Sequence, residues 1–213
     1  MELEQKKHNE LKIQKAIENF LKRNFEAYYF ENKQLAIDFF FSKITKEQSI
    51  GYGGSRTLTQ LSLIQKLKSE GYKILDRNNE SNTPEMRAKI ERDIFSSEIF
   101  ISSANAVSIE GQIVNIDLFA NRVGAMSFGP KEVYLFIGFN KISDDLQDAI
   151  HRAKNIAAPM NAIRFNKNTP CTKTGRCIDC FSPDRICATT TIIDWCQPKG
   201  RIKLLFINEE LGF

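Results

Sequence analysis

Four of the chain's five cysteines, Cys171, Cys177, Cys180 and Cys187, fall in one polar stretch reading C-T-K-T-G-R-C-I-D-C-F-S-P-D-R-I-C. Thiolates are soft metal ligands and good nucleophiles, so thiols gathered in a loop point to metal binding or thiol exchange before core packing. Cys177 and Cys180 have the C-x-x-C spacing that lets two thiolates reach one ion. Gly175 and Pro183 let the chain bend to bring Cys171 and Cys187 to the same centre. The spacing is not the ferredoxin run C-x-x-C-x-x-C-x-x-x-C-P. It leaves open a zinc ion, an iron–sulfur cluster, redox-active thiols, or reduced and partly buried loop thiols. Lys173, Arg176 and Arg185 favour the thiolate, whereas Asp179 and Asp184 oppose it. Cys196, beside Trp195 in an apolar run, reads as a core thiol.

A second chemical set is G-Y-G-G-S-R-T. Gly51, Gly53 and Gly54 allow backbone to approach a ligand, Ser55 and Thr57 add hydroxyls at a helix start, and Arg56 adds a charge-assisted donor. Together they suit a small anion such as phosphate or carboxylate. The same residues also suit a tight turn with Ser55 or Thr57 as helix cap. The loop is neither a Walker loop nor the G-x-G-x-x-G fingerprint. Asn105, Asn115, Asp117, Asn121 and Arg122 lie within 18 residues of one another. On loops at strand ends they would read a polar small molecule, with Asp117 a base if desolvated. Turn chemistry explains them equally well. Lys141 is expected to be exposed, and His8 and His151 read as surface residues. Neither G-x-S-x-G nor H-E-x-x-H occurs, so serine-hydrolase and zincin chemistry have no support.

The elements that must position these residues alternate between helix and strand. Residues 3–29 and Lys33 to Ile44 carry helical spacing and form a lead-in, residues 1–47. From residue 48 onward S-I-G-Y breaks into glycines, an amphipathic helix follows with Leu58, Leu61, Ile64 and Leu67 on one face, and Y-K-I-L-D reads as the next strand. Thr83-Pro84 opens another helix. E-I-F-I-S-S-A-N is a buried-type strand, and two short alternating runs flank a hairpin at Glu110-Gly111. V-Y-L-F-I-G is a further buried strand. D-D-L-Q-D-A-I-H-R-A-K-N-I-A is a helix, and T-T-T-I-I-D-W and R-I-K-L-L-F-I-N close the chain as strands. This pattern predicts an open, mainly parallel α/β sheet with helices on both faces over residues 48–213, preceded by N-terminal helices. Ligands of such sheets sit outside the carboxyl ends of the strands. That rule selects Gly51 to Thr57, Ser102 to Asn105 and Gly138 to Lys141, with Asn115 to Asp117 as a fourth contributor.

Composition narrows the class. A chain of 213 residues with 42% hydrophobic content can bury its own core. A net charge of +4, with basic residues interleaved among glutamates, argues against a nucleic-acid partner. No apolar run is long enough to span a membrane and the N-terminus has no secretory h-region, so a cytoplasmic protein with reduced cysteines is expected. The N-terminal helices offer an apolar face for a homodimer.

The motifs G-Y-G-G-S-R-T, S-A-N-A-V-S-I-E-G-Q-I-V-N-I-D, A-N-R-V-G-A, F-G-P-K, G-F-N-K-I, N-I-A-A-P-M-N-A and the cysteine stretch, in this order, resemble the LUD domain of lactate-utilisation proteins, C-like in type. The resemblance runs from Gln48 to Phe213. It implies a Rossmann-like fold similar to sugar-phosphate isomerases and CoA transferases. It also implies a role in oxidising lactate or a related organic acid alongside iron–sulfur redox subunits. The isomerase motif K-G-x-G is absent, while Glu110 sits in a hairpin comparable to that of the CoA-transferase glutamate. Candidate catalytic groups are therefore Asp117, Glu110 and Lys141. A stand-alone enzyme acting on a phosphosugar or acyl-CoA, and a metal-braced binding module, are the competing readings.

Overall fold

The computed structural model describes residues 3–213. Five strands pair side by side, all parallel: β1 (Glu26–Phe30), β9 (Ile202–Ile207), β6 (Glu132–Gly138), β3 (Ile99–Ser102) and β2 (Ile50–Tyr52), in that spatial order. β6, the central strand, shows why. Its residues alternate between two apolar faces, as a strand buried on both sides must. Val133, Leu135 and Ile137 meet the helix Leu3–Lys22 through Ile13, Ala16 and Phe20. Tyr134 and Phe136 meet the helix Lys33–Lys43 through Ala36, Ile37 and Phe40, together with Leu58, Leu63 and Leu67. The sheet is thus flanked by helices on both faces.

The lead-in is not purely helical. Residues 26–30, expected to continue the first helix, form β1 instead, because Asn24 takes a left-handed turn (φ 65°) after Lys22. β1 then pairs with β9 along its whole length. The helix expected over Thr57 to Glu70 divides into Arg56–Gln60 and Leu63–Ser69 at Ser62, whose φ of 50° breaks the ladder. Y-K-I-L-D forms only a single bridge between Ile74 and Ile50, since the chain turns away at Asp76. The helix Pro84–Asp93 opens at Thr83-Pro84 as expected, and Thr83 proves to be its cap.

A second sheet stands beside the first, in the order β7 (Ile142–Ser143), β4 (Ala106–Ser108), β5 (Ile113–Asp117), β8 (Thr189–Ile193). β4 and β5 form the expected hairpin, and β8 adds antiparallel to β5. A helix from Leu146 to Arg164 lies against this sheet, using Ala149 and Ala153 to approach Ala106 and Val114 closely. It widens into a π-turn at Ala153–Ala157, just before Pro159, whose missing N–H disrupts the ordinary ladder. No helix among the described residues is long and apolar enough to cross a membrane.

The lead-in shares the main core. Phe40 stacks edge-on against Tyr134 and Phe136, with ring centroids 5.1 and 5.6 Å away. Phe40→Ala is therefore expected to cost about 3–5 kcal/mol, as does Phe136→Ala. Urea unfolding with a single shared transition would check this. A loss below about 1 kcal/mol at Phe40 would make the lead-in separable from the rest.

Candidate functional site

The strands β2, β3, β6 and β9 all end on one side of the sheet, and the loops leaving them surround a cavity of about 550 Å³. Gly54, Ser55 and Arg56 come from the loop after β2. Ser103 to Asn105 follow β3, Lys141 follows β6, and Phe213 ends the chain beyond β9. Asp117, Asn121 and Arg122 enter from the end of β5. The four segments selected by the strand-end rule thus converge, although their individual residues play different parts.

Gly51 and Gly53 do not face the cavity; they make room. A Cβ on Gly51 would stand 2.8 Å from Ile94, and one on Gly53 would stand 2.7 Å from Cγ of Arg122 and 2.9 Å from Oγ of Ser102. Gly54 is exposed at the rim, where a Cβ would meet nothing nearer than the Arg77 guanidinium at 3.4 Å. Ser55 caps the next helix by accepting from Leu58 N. That helix is only five residues long, so its dipole adds little and the cationic side chains must supply most of the attraction for an anion.

Arg122 is the organising group. Its guanidinium donates to Asp117 Oδ1 (2.7 and 2.9 Å), Asn115 Oδ1 (2.7 Å), Asn105 Oδ1 (2.9 Å), and the carbonyls of Ser103 (3.2 Å) and Ile116 (2.9 Å). Asp117 also accepts from Val123 N. Its carboxylate is committed to Arg122 and is not the free base its sequence position allows. Asn115 is fully buried and braces Asn105 N, so it shapes the site from behind. Glu110 lies exposed at the hairpin tip, away from the cavity, where its carbonyl receives Arg23 Nε. His8 and His151 are exposed.

Lys141 reverses its expected exposure. It is 4% exposed, and its Nζ donates to Ser103 Oγ (2.9 Å), Ala104 O (2.9 Å) and Thr57 Oγ1 (3.1 Å). Thr57 is itself buried, so its hydroxyl serves Lys141 from beneath the cavity. Burial holds the Lys141 ammonium well below the usual lysine range, and the nearby charges of Arg152 and Arg122 push the same way.

Sequence reasoning missed Arg152, Arg164, Arg77 and Phe213. Arg152 is buried among the carbonyls of Asn140, Asn105 and Phe213, and desolvation lowers its pKa to about 10. Arg164 lies over the rings of Phe165 and Phe213. Desolvation, and then repulsion from Arg56 and Arg122, disfavours its charge. Only the packing of the helix Leu146 to Arg164 brings Arg152 and Arg164 to the strand ends, and no local motif announces it.

A match to the LUD domain spans residues 13–207. The chain belongs to the LUD domain family. The LUD domain's fold also appears in a crystal structure of a DUF162 family protein from Deinococcus radiodurans. That structure is 9% identical in sequence with a TM-score of 0.53, over 93% of this chain and 97% of that one. Such identity speaks for the fold alone. No curated protein matches the sequence.

In this LUD domain Cys171, Cys177, Cys180 and Cys187 are free, half-buried thiols that all line one small cavity of about 20 Å³. Arg185 pins the loop by donating to the carbonyls of Cys180 (2.7 Å) and Cys187 (2.9 Å) and to Asp179. Asp179 N donates to Cys177 Sγ at 3.4 Å, and Thr169 Oγ1 lies 3.1 Å from Cys171 Sγ. Even so, no three His, Cys, Asp or Glu side chains among the described residues form a ready metal-ligand group. Burial pushes the Cys187 thiol up, and Cys177 and Cys180 add to this against the opposing Arg185. At Cys187 Arg185 thus favours the thiolate but is outweighed by burial and the neighbouring thiols. Ile186 lines both the cysteine cavity and the larger one. Cys196 is buried, as expected.

Gly53→Ala must displace Arg122 near its root, so it is expected to destabilise the fold by about 1–3 kcal/mol. Gly54→Ala should stay within about 0.5 kcal/mol of the parent. Thermal melts of the two variants side by side would check the contrast. Equal losses would mean that Arg122 does not depend on the space at Gly53.

Proposed function

We propose that this LUD domain binds a small organic anion in the strand-end cavity and serves in the oxidation of lactate or a related organic acid. Iron–sulfur partner subunits would take the electrons. The observation that carries the first half is charge. Six cationic side chains besides Lys141 line the cavity against two carboxylates, Asp117 and Glu91. Both carboxylates are already paired, with Arg122 and Arg77. Arg56 and Arg164 have no carboxylate partner among the described residues, and they repel one another. An anion between them would relieve that repulsion as well as gain charge-assisted hydrogen bonds. The volume suits a small ligand.

The family supports the second half. The groups around the cavity can orient a hydroxy acid and move a proton, but arginine, lysine and amide side chains cannot store two electrons. Oxidation therefore needs an acceptor beyond them. A phosphosugar or acyl-CoA ligand would answer to the same positive charge.

Thermal-shift measurements with lactate, pyruvate, sugar phosphates and CoA would test the binding. A ligand present at 100 times its Kd should add about 2.7 kcal/mol of stability. Arg164→Ala should remove most of the effect. With an artificial electron acceptor, the purified chain alone should turn over lactate little or not at all. Robust activity would overturn the subunit reading.

The cysteine cavity supports a bound zinc ion or iron–sulfur cluster as an associated proposal. Its support is four thiols around one space and the N–H donor to Cys177 Sγ. Since the thiols are not already drawn into a ligand set, they would have to close on the ion. Protein purified without oxygen should carry stoichiometric zinc or iron. Its absence would leave the loop thiols as reduced side chains braced by Arg185.

A further inference from the structure

We propose that Lys141 is a carbonyl-directed nucleophile whose Nζ condenses with a small keto or aldehyde anion held in the strand-end cavity, forming an imine. This rests on the anion-binding reading above and goes beyond it by assigning a chemical step and a substrate class.

Position argues first. Lys141 lines the cavity yet is only 4% exposed, so its amine is removed from bulk water while still reachable by a bound ligand. A buried lysine held for structure is normally neutralised by a carboxylate. Lys141 has no such partner among the described residues. Its polar contacts are two hydroxyls and one carbonyl: Thr57 Oγ1, Ser103 Oγ and Ala104 O. The charged groups near it are Arg152 and Arg122, both cations. A neutral amine can donate its two N–H groups to Ser103 Oγ and Ala104 O and keep its lone pair, a state that desolvation and cationic neighbours favour.

The step balances without an oxidant or reductant. The Nζ lone pair forms a bond to the carbonyl carbon, and the C=O π pair moves to oxygen. The nitrogen loses a proton and the oxygen gains one, giving a carbinolamine. Loss of that hydroxyl with a proton from nitrogen releases water and leaves C=N. Ser103 Oγ, 2.9 Å from Nζ, is placed to pass these protons. Arg56 and Arg164, also on the cavity wall, are the groups to hold the ligand's carboxylate or phosphate. A 2-oxo acid and a keto sugar phosphate share this chemistry.

The test is reductive trapping. The full chain is incubated with borohydride and either pyruvate or dihydroxyacetone phosphate, then read by intact mass and peptide mapping. Hydride reduces the imine to a stable amine, so the adduct adds the mass of the ligand less one oxygen. We expect the adduct on the peptide carrying Lys141 with the ligand that also stabilises the fold. We expect its complete loss in Lys141→Arg and Lys141→Met, with circular dichroism confirming that at least one variant is folded. A ligand that stabilises the parent without trapping at Lys141, or that traps equally in the variants, overturns the inference and leaves the anion pocket standing. If neither ligand stabilises nor traps, the pocket reading fails and the inference falls with it.

Discussion

The strand-end site depends on the hydrogen bonding of one guanidinium. Arg122 joins the end of β5 to the loop after β3, so the two sheets meet around a group that is only 11% exposed. A planar fork of five N–H donors can serve acceptors on two loops at once, which lysine's point charge could not. The pairing with Asp117 makes that charge tolerable at such low exposure, and losing one partner of such a pair costs about 3–5 kcal/mol. Gly53 is the complement of this arrangement: its missing side chain is the space in which the Arg122 stem lies. The glycine loop thus matters partly because of what packs behind it.

With Asp117 spent on Arg122, little neutralising charge is left for the other cations. Arg152 gives its hydrogen bonds to carbonyls, Arg164 lies over aromatic rings, and Lys141 gives its own to hydroxyls and a carbonyl. Arg152 and Lys141 keep their polar hydrogens satisfied in this way without cancelling the positive field. The result is a cavity whose electrostatics favour an anion and whose deepest amine is disfavoured as an ammonium.

The cysteine loop stands next to this cavity, with Ile186 in the wall between them. Arg185 and the bond from Asn168 N to Asp184 hold the loop's backbone, while none of the four sulfurs is in a disulfide. A loop braced through its carbonyls rather than through its thiols keeps those thiols available.

By itself the sequence determined the strand-and-helix alternation, the hairpin at Glu110-Gly111, the helix start at Thr83-Pro84 and the family, because each of these is written in local periodicity, turn chemistry or contiguous motifs. It also indicated the loops that would converge, since strand direction alone decides which ends of a parallel sheet lie together. The roles inside that convergence were not legible. Whether Asp117 is a base or a counter-ion depends on Arg122 folding back onto it. Whether Lys141 is exposed depends on β7 and the chain's C-terminal residues closing over it, and Arg152 and Arg164 arrive only through a helix packed on a second sheet. These are long-range contacts between segments far apart in the chain, and burial and charge pairing exist only once tertiary structure brings them together.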